Sequence, residues 1–304
     1  MASNESLTFA NYNVAQLPPA SLYEVGKTGE HPTGVVPEMA VAFGHELEKV
    51  PTVDNLGMLI SKVGPAKELQ NNVQAVRRAL GTDKEGVEIA RGWVERSGIL
   101  VPVERSYMTG ERALTENAHL MVATDGVRNW MQRRAASMKQ LHEKHPALTE
   151  ALLITGNRPM KVSEGPDIKE GMTAADYMRD VVAQDLAKIG IATTVVEVPS
   201  GVGDEVMREG ALKVKERLAG EQSPQVVLVS NAGAWPQNGG QFRRALREKD
   251  ALGSSFDQAG NQLVVVADGF ELGQTGSEPT ATHQNPFSAL GQIVRDAQEF
   301  VRQR

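Results

Sequence analysis

The sequence predicts an α/β protein in which helices cover both faces of a mainly parallel sheet, and three observations predict it. First, five short apolar runs recur along the chain: His119 to Ala123, Ala151 to Ile154, Val195 to Val198, Val226 to Val229 and Leu263 to Ala267. Second, each run ends in small or polar residues, at Thr124-Asp125-Gly126, Thr155-Gly156-Asn157-Arg158, Pro199-Ser200-Gly201, Ser230-Asn231-Ala232-Gly233 and Asp268-Gly269. Third, segments of helical length separate the runs. Short stretches rich in Val, Ile and Leu, without polar alternation, read as strands buried on both faces in βα units.

Residues 1 to about 36 hold Pro18, Pro19 and Pro32 with no sustained period and read as an extended arm or a loop wrapped on the core. Pro37-Glu38 suits the first turn of a helix reaching about Lys49, with Met39, Val41, Ala42, Leu47 and Val50 as buried candidates. Leu69, Val73, Val76 and Leu80 recur at spacings of three and four, an amphipathic pattern. Asp83 is placed to cap a further helix carrying Val87, Ile89, Ala90, Trp93 and Val94, which Gly98 ends before a short strand over Ile99 to Val103.

From about residue 116 the βα alternation takes over. Val127, Trp130, Met131, Ala135, Met138 and Leu141 form an apolar stripe after the first strand. Thr173 is placed to cap a helix with Tyr177, Met178, Val181, Val182, Leu186 and Ile189, closed by Gly190. Val206, Met207, Ala211, Val214 and Leu218 mark the next helix, and Phe242, Ala245 and Leu246 the one after it. Pro286 to about Arg302 supplies a last helix that docks the carboxyl terminus through Phe287, Leu290, Ile293, Val294, Ala297, Phe300 and Val301. The expected division is a helical amino-terminal region, 1–115, packed on a Rossmann-like domain, 116–304.

With 304 residues, 23% of them charged and 40% hydrophobic, the chain has the composition of an ordered globular protein. A net charge of −6 argues against a dedicated nucleic-acid binder. The basic cluster Arg128, Arg133, Arg134 and Lys139 reads as a solvated helix face. The lack of cysteine excludes thiolate chemistry and Cys-based metal centres. Neither a signal sequence nor a membrane span is expected, so the expected location is the cytoplasm.

Motifs narrow the chemistry mainly by elimination. Leu228-Val229-Ser230-Asn231-Ala232-Gly233 looks like the Asn-Ala-Gly step of short-chain dehydrogenases, but that family's glycine-rich nucleotide loop and downstream Tyr-x-x-x-Lys pair are missing. No P-loop and no Gly-x-Ser-x-Gly elbow occurs. Ser200 to Glu205 opens a helix after a strand, where free backbone N–H groups suit an anion, while Asp204 and Glu205 suit a ribose, a cation or a metal instead. The histidines are scattered, so a metal site would have to come from carboxylates such as Asp125, Glu205 and Asp268, a set suited to Mg²⁺.

The order of units also carries a resemblance. A strand ending in a small-residue loop leads to an Arg-containing helix over His119 to Arg134, and a second strand ends in Thr155-Gly156. A capped helix over Thr173 to Ile191 precedes a strand ending near Ser200 and Glu205, and Val226 to Ala245 ends in an Arg-Ala helix. Over roughly residues 116–250 this resembles the YdcF/SanA/ElyC-like family of α/β proteins. Gly203 and Val206 stand where the family motif has threonine and asparagine, Ala174 where its capped helix has an acid, and the histidine after the fourth strand is absent. The resemblance implies an α/β scaffold and, through one cytoplasmic branch of the family, binding of S-adenosylmethionine.

In parallel sheets of this kind, ligands bind where the strands' carboxyl ends release their loops. The expected function is a cytoplasmic binding protein or enzyme for a nucleotide-like or phosphorylated small molecule, with S-adenosylmethionine or Mg²⁺ as candidate cofactors. Thr124, Asp125, Gly126 and Arg128 would form one wall, Gly156, Asn157 and Arg158 a second, Ser200, Gly201, Gly203 and Glu205 a third, and Ser230, Asn231 and Trp235 the roof. Arg128 and Arg158 are the natural anion receivers, and Asp125 or Glu205 the general base if there is catalysis. The alternative is a non-enzymatic scaffold that uses its amino-terminal helices for a partner or for self-association.

Overall fold

Each apolar run becomes a strand, and a sixth strand joins them. The structure is a computed structural model that describes residues 21–24, 30–49, 54–65, 68–69, 73–80, 84–106, 114, 116, 118–199, 203–221, 224–248, 262–269 and 286–302. Its strands are β1 (Val103–Ser106), β2 (Ala118–Thr124), β3 (Glu150–Gly156), β4 (Ala192–Val198), β5 (Gln225–Asn231) and β6 (Gln262–Asp268). They form one sheet in the order β1-β6-β5-β2-β3-β4. Strands β2 to β6 are mutually parallel, whereas β1 runs antiparallel to β6 with Val103 opposite Ala267. The sheet is therefore mainly parallel, as the apolar runs lead one to expect, but it is mixed and has six strands where about five are expected.

The extra strand also shifts the expected one at Ile99 to Val103. Gly98 adopts φ 72° and its carbonyl accepts from Val101 N, so the chain is turning there. Pro102 has no N–H for a ladder, and pairing begins only beyond it.

Contacts between Cα atoms divide the chain into two units: 1–101 with 232–237 and 269–304, and 102–231 with 238–268. In the first unit the helices are Val35–Ala42, Asp54–Val63, Val73–Leu80, Lys84–Ser97 and Pro286–Arg302. The Pro286–Arg302 helix packs on the Lys84–Ser97 and Asp54–Val63 helices and buries Phe287, Leu290, Ile293, Val294 and Ala297. The first helix is shorter than its expected span to Lys49. Gly44 at φ 83° donates to the Val41 carbonyl and His45 to that of Ala40, a left-handed stop that leaves Val41 exposed and Leu47 half-buried. Val50, Asp83 and residues 1–20 of the expected arm lie outside the described residues.

The sheet belongs to the second unit. Met121, Ala123, Ala151, Leu153, Val227 and Val229 share one core cluster with Met131, Met138 and Leu141 of the helix Arg128–Lys144 and with Tyr177, Met178 and Val182. The latter three lie on a helix that runs from Ala174–Tyr177 through a π-helical stretch, Met178–Ala183, to Gln184–Ala187. Thr173 caps it: its hydroxyl accepts from Asp176 N, and Asp176 accepts from Thr173 N in return. Gly190 closes the segment at φ 87°. Ile154, one residue out of step with Leu153, meets Gly210 of the helix Gly203–Arg217, so this helix covers β3 from the opposite face.

Candidate functional site

The parallel strands release their loops at Thr124, Gly156, Val198, Asn231 and Asp268, and the strand order reverses between β2 and β5. From β2 the chain adds β3 and β4 on one side and then returns to add β5 and β6 on the other.

The loop after β2 is held by side chains on three sides. The Asp125 carboxylate accepts from Thr155 Oγ1 at 3.0 Å and from Gly156 N at 2.9 Å, which ties the β2 loop to the end of β3. Beneath it, Arg134 reaches back from the second turn of its helix. Its Nη1 donates to the Thr124 carbonyl, to Thr124 Oγ1 at 2.8 Å and to the Asp125 carbonyl at 2.8 Å. Arg134 is only 2% exposed, so the reading of Arg128, Arg133, Arg134 and Lys139 as a solvated face is corrected here. Arg128 pairs with Asp167, Arg133 with Asp268 and Lys139 with Asp185. Burial lowers the Arg134 guanidinium to about 10 against the opposing pull of Asp125 and Asp268, which leaves it charged near neutral pH.

The two arginines expected to receive an anion are already engaged. Arg158 forks onto Glu164, Nη1 to Oε1 at 2.8 Å and Nη2 to Oε2 at 3.1 Å, and its Nη2 also donates to the Gly126 carbonyl at 2.8 Å. Glu164 further accepts from Arg128 N at 3.0 Å and Lys161 N at 3.1 Å. Burial pushes the Glu164 carboxyl up, but these donors outweigh it and hold the group down at about 2. Arg128 Nε donates to Asp167, which also accepts from Tyr177 Oη at 3.0 Å. Burial and then Asp167 push the Tyr177 phenol up to about 12, so it stays protonated as a donor. Gly165 makes the crossing possible, because a Cβ there would stand 2.5 Å from Arg128 Cδ and Nε.

At the ends of β5 and β6, Ser230 Oγ accepts from Asn238 Nδ2 at 3.0 Å, and Asn231 Nδ2 donates to the Trp130 carbonyl at 3.4 Å. Arg133 Nε donates to Asp268 Oδ2 at 2.7 Å. Of the expected third wall, Ser200 and Gly201 lie outside the described residues. Gly203 and Glu205 are exposed at the start of their helix, and a Cβ on Gly203 would meet nothing within 4 Å. Trp235 is 4% exposed, begins the helix Trp235–Arg247 and falls in the first unit. Asn157 is exposed at the tip of its loop.

Thr124 to Arg128, Gly156 to Arg158, and Ser230 with Asn231 thus lie at carboxyl ends of strands in one unit. Among the described residues, no group of three His, Asp or Glu is placed to hold a metal ion, and Asp125, Glu205 and Asp268 do not form one. Glu164, Gly165 and Asp167 escaped the sequence reading, which placed Tyr177 only on a helix and Arg134 only on a solvated face. The signal for the two acids was the spacing: two cations near strand ends call for carboxylates, and Lys161 to Asp167 is the polar stretch that follows.

A depression of about 380 Å³ lies at the other end of the sheet, lined by His119, Thr149, Glu150, Arg217 and Glu221 among others. Arg217 bridges Glu150 and Glu221 across it, which satisfies the charges on its wall. Comparison with known proteins brings no match among family models, curated proteins or solved structures.

Proposed function

We propose that the sheet-bearing unit is a three-layer Rossmann-like domain of a cytoplasmic protein, and that it binds a nucleotide-like or phosphorylated small molecule at the carboxyl ends of β2 and β5. S-adenosylmethionine is among the candidate ligands, because the sequence resembles the YdcF/SanA/ElyC-like family, one cytoplasmic branch of which is linked to binding it. The observation that supports this reading is the reversal of strand order between β2 and β5, since open α/β sheets take their ligands at the carboxyl ends of the strands where the order reverses.

Binding is favoured over catalysis by the engagement of the polar groups. Asp125 serves this reading by fixing the β2 loop against β3 through Thr155 and Gly156, instead of offering a free base. Arg128 and Arg158 shape the loops through Asp167 and Glu164. The amide of Gly126 and the exposed side chain of Asn157 are then the groups nearest to hand for a ligand.

The test is a thermal shift of the full chain against S-adenosylmethionine, nucleotides, dinucleotides and sugar phosphates, each with and without Mg²⁺. A saturable stabilisation that shrinks in Asn157→Ala, whose free protein melts unchanged, is the expected result. Asn157 suits the test better than Arg158, whose loss would disturb the Glu164 pair as well. No stabilisation by any of these compounds would overturn the proposal.

A further inference from the structure

We propose that Arg134 Nε, Asn231 Oδ1 and Asp268 Oδ1 together read a vicinal diol, the ribose or sugar part of the ligand. This rests on the binding site proposed above and deepens it. All three atoms are buried without a hydrogen-bond partner. Buried polar groups are almost always paired, so three orphans in one place mark an absent partner.

They are in one place because the fold puts them there. Asn231 and Asp268 are paired across β5 and β6, one at the end of each strand. Asn231 follows Val227 and Val229 at steps of two, on the sheet face covered by the helix Arg128–Lys144. That helix supplies the Trp130 carbonyl to Asn231, Arg133 to Asp268, and Arg134, whose guanidinium lies 5.7 Å from the Trp130 ring centre. Asn231 is 1% exposed and Arg134 2%.

The chemistry of the orphans selects the ligand group. One is a donor and two are acceptors. A hydroxyl can give one hydrogen bond and accept another. Two adjacent hydroxyls satisfy all three atoms, one donating to Asn231, the other to Asp268, and either accepting from Arg134. The charges nearby favour a neutral group, because the guanidiniums of Arg133 and Arg134 are balanced by the carboxylates of Asp125 and Asp268. A phosphate here would meet the Asp268 carboxylate, and an ammonium would meet Arg134.

The experiment compares adenosine with 2′,3′-dideoxyadenosine, titrated calorimetrically into the full chain. Adenosine is expected to bind, and the dideoxy compound about tenfold more weakly or worse, because the orphans would stay unpaired. Asn231→Leu is expected to narrow the difference between the two compounds. The ligand pair needs no substitution, so the comparison stands even if that variant fails to fold. Equal binding of both compounds would overturn the diol reading and leave the binding site standing. Binding of neither would overturn the diol reading, and the binding site then stands or falls by the wider panel of compounds above.

Discussion

Arg158 and Glu164 meet through two parallel hydrogen bonds of 2.8 and 3.1 Å, and that fork joins the loop after β3 to the segment at Lys161 to Asp167. The Glu164 side chain is 12% exposed. Its remaining contacts, to the backbone amides of Arg128 and Lys161, make it the hub of three chain segments. Replacing Glu164 with Gln keeps the size and one acceptor but removes the charge. The expected cost is about 1–3 kcal/mol in urea unfolding, with the sheet intact by circular dichroism.

The same carboxylate predicts an acid response. Its folded value of about 2 lies below the ordinary 4.5, so its contribution is present above pH 4.5 and is lost as pH falls through the folded value. Wild-type protein is expected to lose stability across that interval more steeply than Glu164→Gln. Parallel pH profiles of the two proteins would show no difference if the carboxylate were not held by its donors.

Gly210 lies against β3 so closely that a Cβ would stand 2.1 Å from Ile154 Cδ1 and 3.0 Å from its Cγ1. Gly210→Ala is expected to destabilise by about 1–3 kcal/mol through overpacking. Ile154→Val removes the nearer of the two clashing carbons. The double variant is therefore expected to be more stable than the sum of the single effects allows, a coupling that a double-mutant cycle measures.

In the first unit, Gly34 sits at φ 112° with the Leu22 carbonyl oxygen 2.7 Å from where its Cβ would be. Backbone cannot yield as a side chain does. Gly34→Ala is expected to cost about 1–3 kcal/mol or more from strain at a left-handed position. It should loosen the anchoring of Leu22 and Tyr23, seen as faster amide exchange at Val35 and Val36, which donate to Ser21 and Leu22.

The strands that build the sheet centre were legible because burial on both faces leaves a mark in one dimension: Val226 to Val229 and Leu263 to Ala267 are apolar throughout. β1 left no such mark. Four residues, Val-Glu-Arg-Ser, carry too little pattern to announce a strand, and only their partner β6 makes them one. Arg134 was illegible for a different reason. A cation among other cations on a helix looks solvated unless the carbonyls of Thr124 and Asp125 are known to stand over it. The Glu164 and Asp167 pairs escaped because each joins residues that only the folded loops bring together, Arg128 being 39 positions from Asp167.

The short antiparallel strand at the rim has a consequence for how the protein stays dispersed. β6 is a seven-residue strand, Gln-Leu-Val-Val-Val-Ala-Asp, flanked on one side by β5 and on the other by β1 alone. Without Val103–Ser106, that side would present open amides and carbonyls along a β-branched run, a template for a neighbouring chain. Four unremarkable residues thus act as a selvedge. Damage to them would surface first as clumping during synthesis or storage, with the sheet behind them still correctly woven.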